Sequence, residues 1–488
     1  MKYSLLTATA LIALLTAVPA FADAETDALK AEIKQLEARI NQLEKKQAAQ
    51  KTAAIPSGYA TDAPAQAQAP AASTNKSLTQ RVATIEQKEA DEPTVSVSSK
   101  GLQVTSPDKQ YQLGVHAYAQ FDARTFFDNG ANTSTGATNN FLVRTARPIL
   151  DAKMTDYFNG KLMWDFGQGN SRLLDAYGDF HPMPGNDIVN LRAGEFKVPV
   201  GLERWQSEQE IEFVERGMTT NLVPFRDIGG MLYGQLVPKQ LEYQLAYVNG
   251  ASDLQVDTGD LDTNKDVDAR LFSHPLYWTD VNALKGLGLG LGGTYGTHQG
   301  STTNTNITTG YLTPAQRVFF AYSSGVFANG PQWRLNPQFM YYYGPFWTFG
   351  EYVRDNQELK ITTNDRELSN DAWFASTGYV LTGEDASFDG VKPKNIFNPK
   401  AGDWGAFELV ARYGQLKVDK NAFPLFANIT TSARRANEST VGANWYLNNS
   451  VKVNLDYAYT TFDGGASAAL GGDRNDEQAL LARTQIRF

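Results

Sequence analysis

The feature that most constrains this chain is a two-residue alternation that returns, segment after segment, from Tyr111 to the last residue. Tyr111, Leu113, Val115, Ala117, Ala119 and Phe121 alternate with Gln112, His116 and Gln120. The same pattern sets Leu241, Tyr243, Leu245 and Tyr247 against Glu242 and Gln244. Phe407, Leu409, Ala411 and Tyr413 face away from Glu408 and Arg412, and Val451, Val453, Leu455, Tyr457 and Tyr459 from Lys452, Asn454 and Asp456. A strand sends successive side chains to opposite faces, so each segment has one apolar and one polar side. Because most polar sides carry ionised residues, one face requires water while the other avoids it. A soluble sandwich alternates too, but a closed barrel with a wet lumen, set in lipid, satisfies both faces and leaves no strand edge unpaired. Of the segments, Arg317–Tyr322 is the weakest, lying in a Ser/Thr/Asn/Gly-rich region from Gly300 to Pro331. Treating that region as loop leaves an even strand number, and predicts an all-β fold: a 16-stranded antiparallel transmembrane β-barrel over residues 95–488.

The final segment, Glu477–Phe488, places Leu480, Ala482, Thr484, Ile486 and Phe488 on one face and Arg483, Gln485 and Arg487 on the other. Ending the alternation on phenylalanine resembles the C-terminal strand of bacterial outer-membrane barrels. On that reading Arg483 and Arg487 are expected near the periplasmic mouth.

The N-terminal part is a different kind of sequence. Met1–Ala22 has a charged start at Lys2, an apolar stretch from Leu5 to Val18, and a small-x-small site at Ala20–Ala22, the pattern of a secretory signal peptide. In residues 23–50, Leu29, Ile33, Leu36, Ile40 and Leu43 form a heptad seam, predicting a periplasmic coiled coil that oligomerises. Residues 51–94, with Pro56, Pro64 and Pro70, read as an Ala/Pro/Gln-rich linker and a short helix. Mean hydropathy is −0.38 and no later apolar run is long enough for a membrane helix. Cysteine is absent, the four histidines are scattered, and the net charge of −9 argues against a nucleic-acid partner. No GxSxG, HExxH or P-loop pattern occurs, so neither an enzyme nor a cofactor is expected. The acidic stretch Asp257–Asp268 fails as a calcium loop, with Lys265 where glycine belongs and Leu271 where glutamate belongs.

One segment breaks the alternation early. Val198–Asp227 follows a clear strand and is too long for a plain connection, which predicts a functional loop folded inward as a constriction. Here the residues become recognisable. RAGEFKVPVGLER (Arg192–Arg204), FVERGM, RDIGG (Arg226–Gly230), FLVRTARPILDAKM near Arg144 and VGANWYLNNSVKVNLDY near Val441 resemble the phosphate-selective porins O and P. The resemblance spans roughly Leu102 to Phe488. It implies a Gram-negative outer-membrane homotrimer of 16-stranded barrels in contact with lipid and lipopolysaccharide. Each pore would be narrowed by an inward loop and carry an N-terminal periplasmic extension.

Carried over residue by residue, the resemblance makes Arg204 and Arg216 basic residues of the constriction, Ser207 a hydroxyl between them, and Arg144 a basic residue of the lumen wall. Guanidinium suits such a site because it stays charged and offers several donors to an oxyanion. The chain departs from the pattern in two places. Gly300–Pro331 holds only Arg317 where relatives carry an arginine ladder, and Glu208, Glu210, Glu212 and Glu215 lie between Arg204 and Arg216. Two functions follow: a porin for passive diffusion of small hydrophilic solutes, with anions such as phosphate preferred, or a weakly selective porin whose coiled coil tethers the outer membrane to peptidoglycan. The orientation of the loop glutamates relative to Arg204 decides selectivity.

Overall fold

In the computed structural model of the chain, residues 91–127, 138–250, 262–467 and 472–488 are described. The expected signal peptide, the coiled coil and nearly all of the linker lie outside them, as does part of Asp257–Asp268. A hairpin of β1 (Thr94–Ser98) and β2 (Gly101–Thr105) pairs with the start of β3 (Tyr111–Phe126). The wall continues through β4 (Asn140–Met154), β5 (Phe158–Asp165), β6 (Arg172–Phe180), β7 (Asn190–Lys197) and β8 (Arg226–Val237). Next come β9 (Leu241–Val248), β10 (Asp266–Ser273) and β11 (Leu287–Gln299). β12 (Gly310–Leu312) and β13 (Val318–Ala321) form a separate two-stranded sheet. The wall resumes with β14 (Val326–Tyr343), β15 (Phe346–Ile361), β16 (Asn364–Val380) and β17 (Ala406–Lys417). It ends with β18 (Ala433–Tyr446), β19 (Val451–Gly464) and β20 (Glu477–Arg487).

Each wall strand pairs antiparallel with the next, and β20 returns to β3 in the register Gln485↔Gln120. Phe488 and Ala117 exchange two backbone hydrogen bonds of 3.0 Å at the seam. Sixteen strands therefore close on themselves, β3 to β11 and β14 to β20, as the alternation predicts. The weak segment Arg317–Tyr322 stands outside the wall, because its apolar residues Phe319 and Phe320 are buried in the lumen rather than presented to lipid. The loop containing it ends earlier than expected: Val326–Pro331 already belongs to β14.

The wall is inside out relative to a soluble protein. Leu455 is 46% exposed while its neighbours Asn454 and Asp456 are each 1% exposed. Polar residues such as Gln120, Asp122, Arg334, Asn336, Glu438 and Arg483 are buried, and Leu245, Leu271, Leu289, Leu335, Leu409 and Val441 cover the outside. This is what lipid demands, since an ionised side chain on the outer face costs heavily near the bilayer centre. Leu455→Arg is therefore expected to destabilise the barrel by roughly 2–4 kcal/mol, read from urea titrations of folding into vesicles.

The lumen is filled unevenly. Around β14–β18 the end opposite the C-terminus is closed by an apolar cluster. It joins Val200, Met218, Leu222 and Val223 to Tyr311, Phe319 and Phe320 of the β11–β14 connection and to Phe426 of the β17–β18 connection. At the terminal end, Leu202 and Phe213 pack with Trp347, Phe349, Phe374, Ala386 and Val391. Turns such as 238–240 and 447–450 are short at the C-terminal end. One connection departs from that rule: residues 381–405, between β16 and β17, are long and turn into the lumen. These insertions leave a cavity between the inward loop and β4–β6.

Candidate functional site

The inserted segment between β7 and β8 spans residues 198–225; Arg226 and Asp227, expected to end the loop, instead open β8, where Arg226 pairs with Lys197 in the ladder. Its sequence holds it inside the barrel by interleaving two kinds of anchor. The apolar residues enter the clusters described above. The charged and amide groups find partners on the lumen wall, as buried polar groups must. Glu203 meets Arg412 at 3.0 Å, and Arg412 also donates to Glu438 at 2.5 Å. Glu215 accepts from Arg124 at 2.6 Å, from Arg144 at 2.7 and 3.1 Å, and from Arg483 at 3.4 Å. Loop amides donate outward as well: Val214 to Asp456 at 2.6 Å, Leu202 to Glu351 at 2.6 Å and Gly201 to Asn336 at 2.9 Å. From β19, Lys452 donates to the carbonyls of Gln209 and Ile211 at 3.0 and 2.9 Å.

Between this loop and the β3–β8 wall lies a cavity of about 300 Å³. Five arginines line it, Arg144, Arg147, Arg172, Arg204 and Arg216, against three carboxylates, Asp165, Glu208 and Glu215. Three of the four residues singled out from sequence thus come together; Ser207 is exposed and stands outside this lining. Arg204 donates Nη2 to the Thr220 carbonyl at 2.7 Å and lies 4.8 Å from the Phe225 ring. Arg216 donates to the carbonyls of Glu203 and Gln206 and meets Glu208 at 2.8 Å.

The loop glutamates separate in space. Glu210 pairs with Arg487 at the terminal end, and Glu212 is buried on the Gln206 amide at 3.0 Å. Glu215 is held among three wall arginines. Glu208 alone bridges two arginines of the cavity, Arg216 at 2.8 Å and Arg147 at 3.3 Å. The mixed field suggested by four glutamates in sequence is therefore reduced, at the cavity, to Glu208 and Glu215. Arg483, expected at the mouth, instead lies buried inside, because its register partner on β3 is Asp122, which accepts two of its hydrogen bonds at 2.7 and 2.8 Å.

Arg147, Arg172 and Asp165 escape sequence reasoning. Strict alternation puts Arg144 and Arg147 on opposite faces, but the β3–β4 register shifts between Gln120 and Phe121 and passes over Arg144. That bulge turns both Arg144 and Thr145 inward and restores the phase for Arg147. The bond from Arg144 to Glu215 and that from Thr145 to Gln120, at 3.1 Å, both lie on the lumen side. Arg147 is then fixed by Asp165 at 2.8 Å and the Tyr118 hydroxyl at 2.6 Å. The visible clue is the RTAR spacing beside an outward Phe141 and Val143.

Beyond the loop a second cavity of about 830 Å³ opens at the terminal end, lined by Gln209 and Glu210, the chain neighbours of Glu208. Lys100, Lys153, Lys161, Lys392 and Arg487 face Asp151, Asp179, Glu210 and Asp389 there.

The model of the family described as phosphate-selective porin O and P matches residues 115–488. The chain belongs to this family. It is 25% identical over 433 residues to Porin O of Pseudomonas aeruginosa, covering 80% of this chain and 91% of that one. Its fold is similar to that of the outer membrane channel DcaP of Acinetobacter baumannii, with a TM-score of 0.50, 11% identity, and coverage of 78% of this chain and 98% of the other. The porin is accordingly a channel-forming β-barrel of the Gram-negative outer membrane, and its inward loop is the feature that divides the lumen.

Proposed function

We propose that the porin conducts small hydrophilic anions, phosphate among them, by passive diffusion along the β3–β8 side of its lumen. The observation that carries this reading is the cavity where five arginines face three carboxylates. A ring of one sign favours the counter-ion, and a low-dielectric wall focuses the field. Arginine holds its charge at any pH of the envelope and offers paired donors to a tetrahedral oxyanion. Arg144, Arg204 and Arg216 are the anion-facing groups of the constriction in this reading, joined by Arg147 and Arg172. The end opposite the C-terminus is the extracellular side, and the description of the family agrees with the solute class. A homotrimer is part of the proposal, as the family resemblance implies, and the heptad seam from Leu29 to Leu43 supports self-association.

Two measurements test it. Adding phosphate should reduce chloride conductance through the purified porin in planar bilayers; undiminished chloride current at saturating phosphate counts against a phosphate-binding constriction. Glu208→Gln removes the carboxylate that bridges Arg147 and Arg216. A unit charge about 6 Å from a permeating ion in water is worth roughly 0.7 kcal/mol, so anion permeability should rise about threefold and cation permeability fall about threefold, a roughly tenfold rise in their ratio.

A further inference from the structure

The lumen contains another recess, away from the arginine cavity, with a volume of about 550 Å³. That size is typical of sites for small organic molecules. It exists because β11 turns glycines inward. Its outer residues Leu287, Leu289 and Leu291 alternate with Gly288, Gly290 and Gly292 on the lumen side. A Cβ on Gly290 would stand 2.5 Å from the Phe272 ring, and one on Gly288 would stand 2.7 Å from both Phe272 and Met340. Phe272 therefore lies back against bare strand, and the space above it stays open. Trp205 of the inward loop, Tyr342 of β14 and Phe388 of the 381–405 connection complete an aromatic lining.

The polar groups of the recess favour an anionic partner. Arg270 lies 4.5 Å from the Phe272 ring and 5.6 Å from that of Trp205, and it is oriented by Gln338 at 3.0 Å and Glu242 at 2.7 Å. Lys239 and Lys285 stand with Arg270 against Glu242 and Asp389.

We propose that this recess is a second solute site, distinct from the arginine cavity, that takes an aromatic carboxylate. The ring stacks among Trp205, Phe272 and Phe388, in the offset or edge arrangements aromatic groups prefer. The carboxylate sits in the field of Arg270, Lys239 and Lys285. Acetate lacks the ring, and benzylamine replaces the anion with a cation.

The test is calorimetric titration of the full-length porin in detergent with benzoate, acetate and benzylamine, repeated on Lys285→Gln and Gly290→Leu. Benzoate should bind at least about tenfold more tightly than either analogue, the margin of one good aromatic contact plus one charge-assisted contact. Gly290→Leu, by pushing Phe272 into the recess, should abolish benzoate binding, and Lys285→Gln should weaken it about threefold. Electrophoretic mobility without heating checks that each variant is a folded barrel; should Gly290→Leu not fold, Lys285→Gln decides. Benzoate binding no tighter than acetate, or undiminished in the folded variants, overturns the proposal. Phosphate block of chloride current, measured separately, reports on the arginine cavity and not on this site.

Discussion

Replacing Glu215 by alanine should release the inward loop and raise single-channel conductance. Glu215 is 5% exposed and ties the loop to three wall arginines from β3, β4 and β20. Its removal leaves Arg144 without the carboxylate that accepts two of its hydrogen bonds. Asp122 then remains as the carboxylate for both Arg124 and Arg483. Breaking a buried ion pair by deleting one partner typically costs about 3–5 kcal/mol, because the remaining charge is stranded. On the side of those arginines the loop keeps Arg147 on Glu208 and the Gln120 and Gln485 amides on the carbonyls of Glu208 and Gln209, while Glu203 on Arg412 and Val214 on Asp456 hold the other. Larger conductance, faster proteolysis within residues 198–225 and a lower unfolding temperature are the expected outcome. Conductance and proteolysis identical to the parent would show that the loop's remaining anchors hold it without Glu215.

The second large effect concerns selectivity. Changing Arg204 and Arg216 together to glutamine converts a cavity of five arginines and three carboxylates into one of three against three. With each charge worth about threefold in the permeability of one ion at this range, anion permeability should fall by roughly tenfold while cation permeability rises. A matched control changes Arg366 and Lys417 to glutamine. Both are exposed and lie outside the cavity, and the same loss of two charges there should leave the ratio near its parental value. Equal effects of the two pairs would mean that net charge, rather than the placement of these guanidiniums, sets selectivity.

The physical basis of these predictions was unevenly legible in the sequence. Alternation read Leu455 as outward and Asp456 as inward, and even strand number placed Val318–Ala321 outside the wall, because both follow from local chain geometry. Arg144 and Arg204 were recognisable as charges of the pore. Their convergence with Arg147 was not, since it depends on a bulge that changes phase within β4. The destinations of Glu208, Glu210, Glu212 and Glu215 were hidden for another reason. Four nearby carboxylates look like one acidic field, but a loop packed inside a barrel sends each to whichever wall strand it faces. The long connection 381–405 was missed because it carries no alternation to break, and its inward course is set by Phe388 and Val391 meeting the aromatic cluster of β15 and β16.

The central claim is that arginines gathered by the inward loop make this a channel for anions. The most direct test is the zero-current potential of the full-length porin in planar bilayers separating unequal KCl solutions. The account predicts the sign given by chloride moving down its gradient faster than potassium, with the magnitude increasing in Glu208→Gln and collapsing in the Arg204/Arg216 double variant. A potential of the opposite sign, or one unaffected by the double variant, would contradict it.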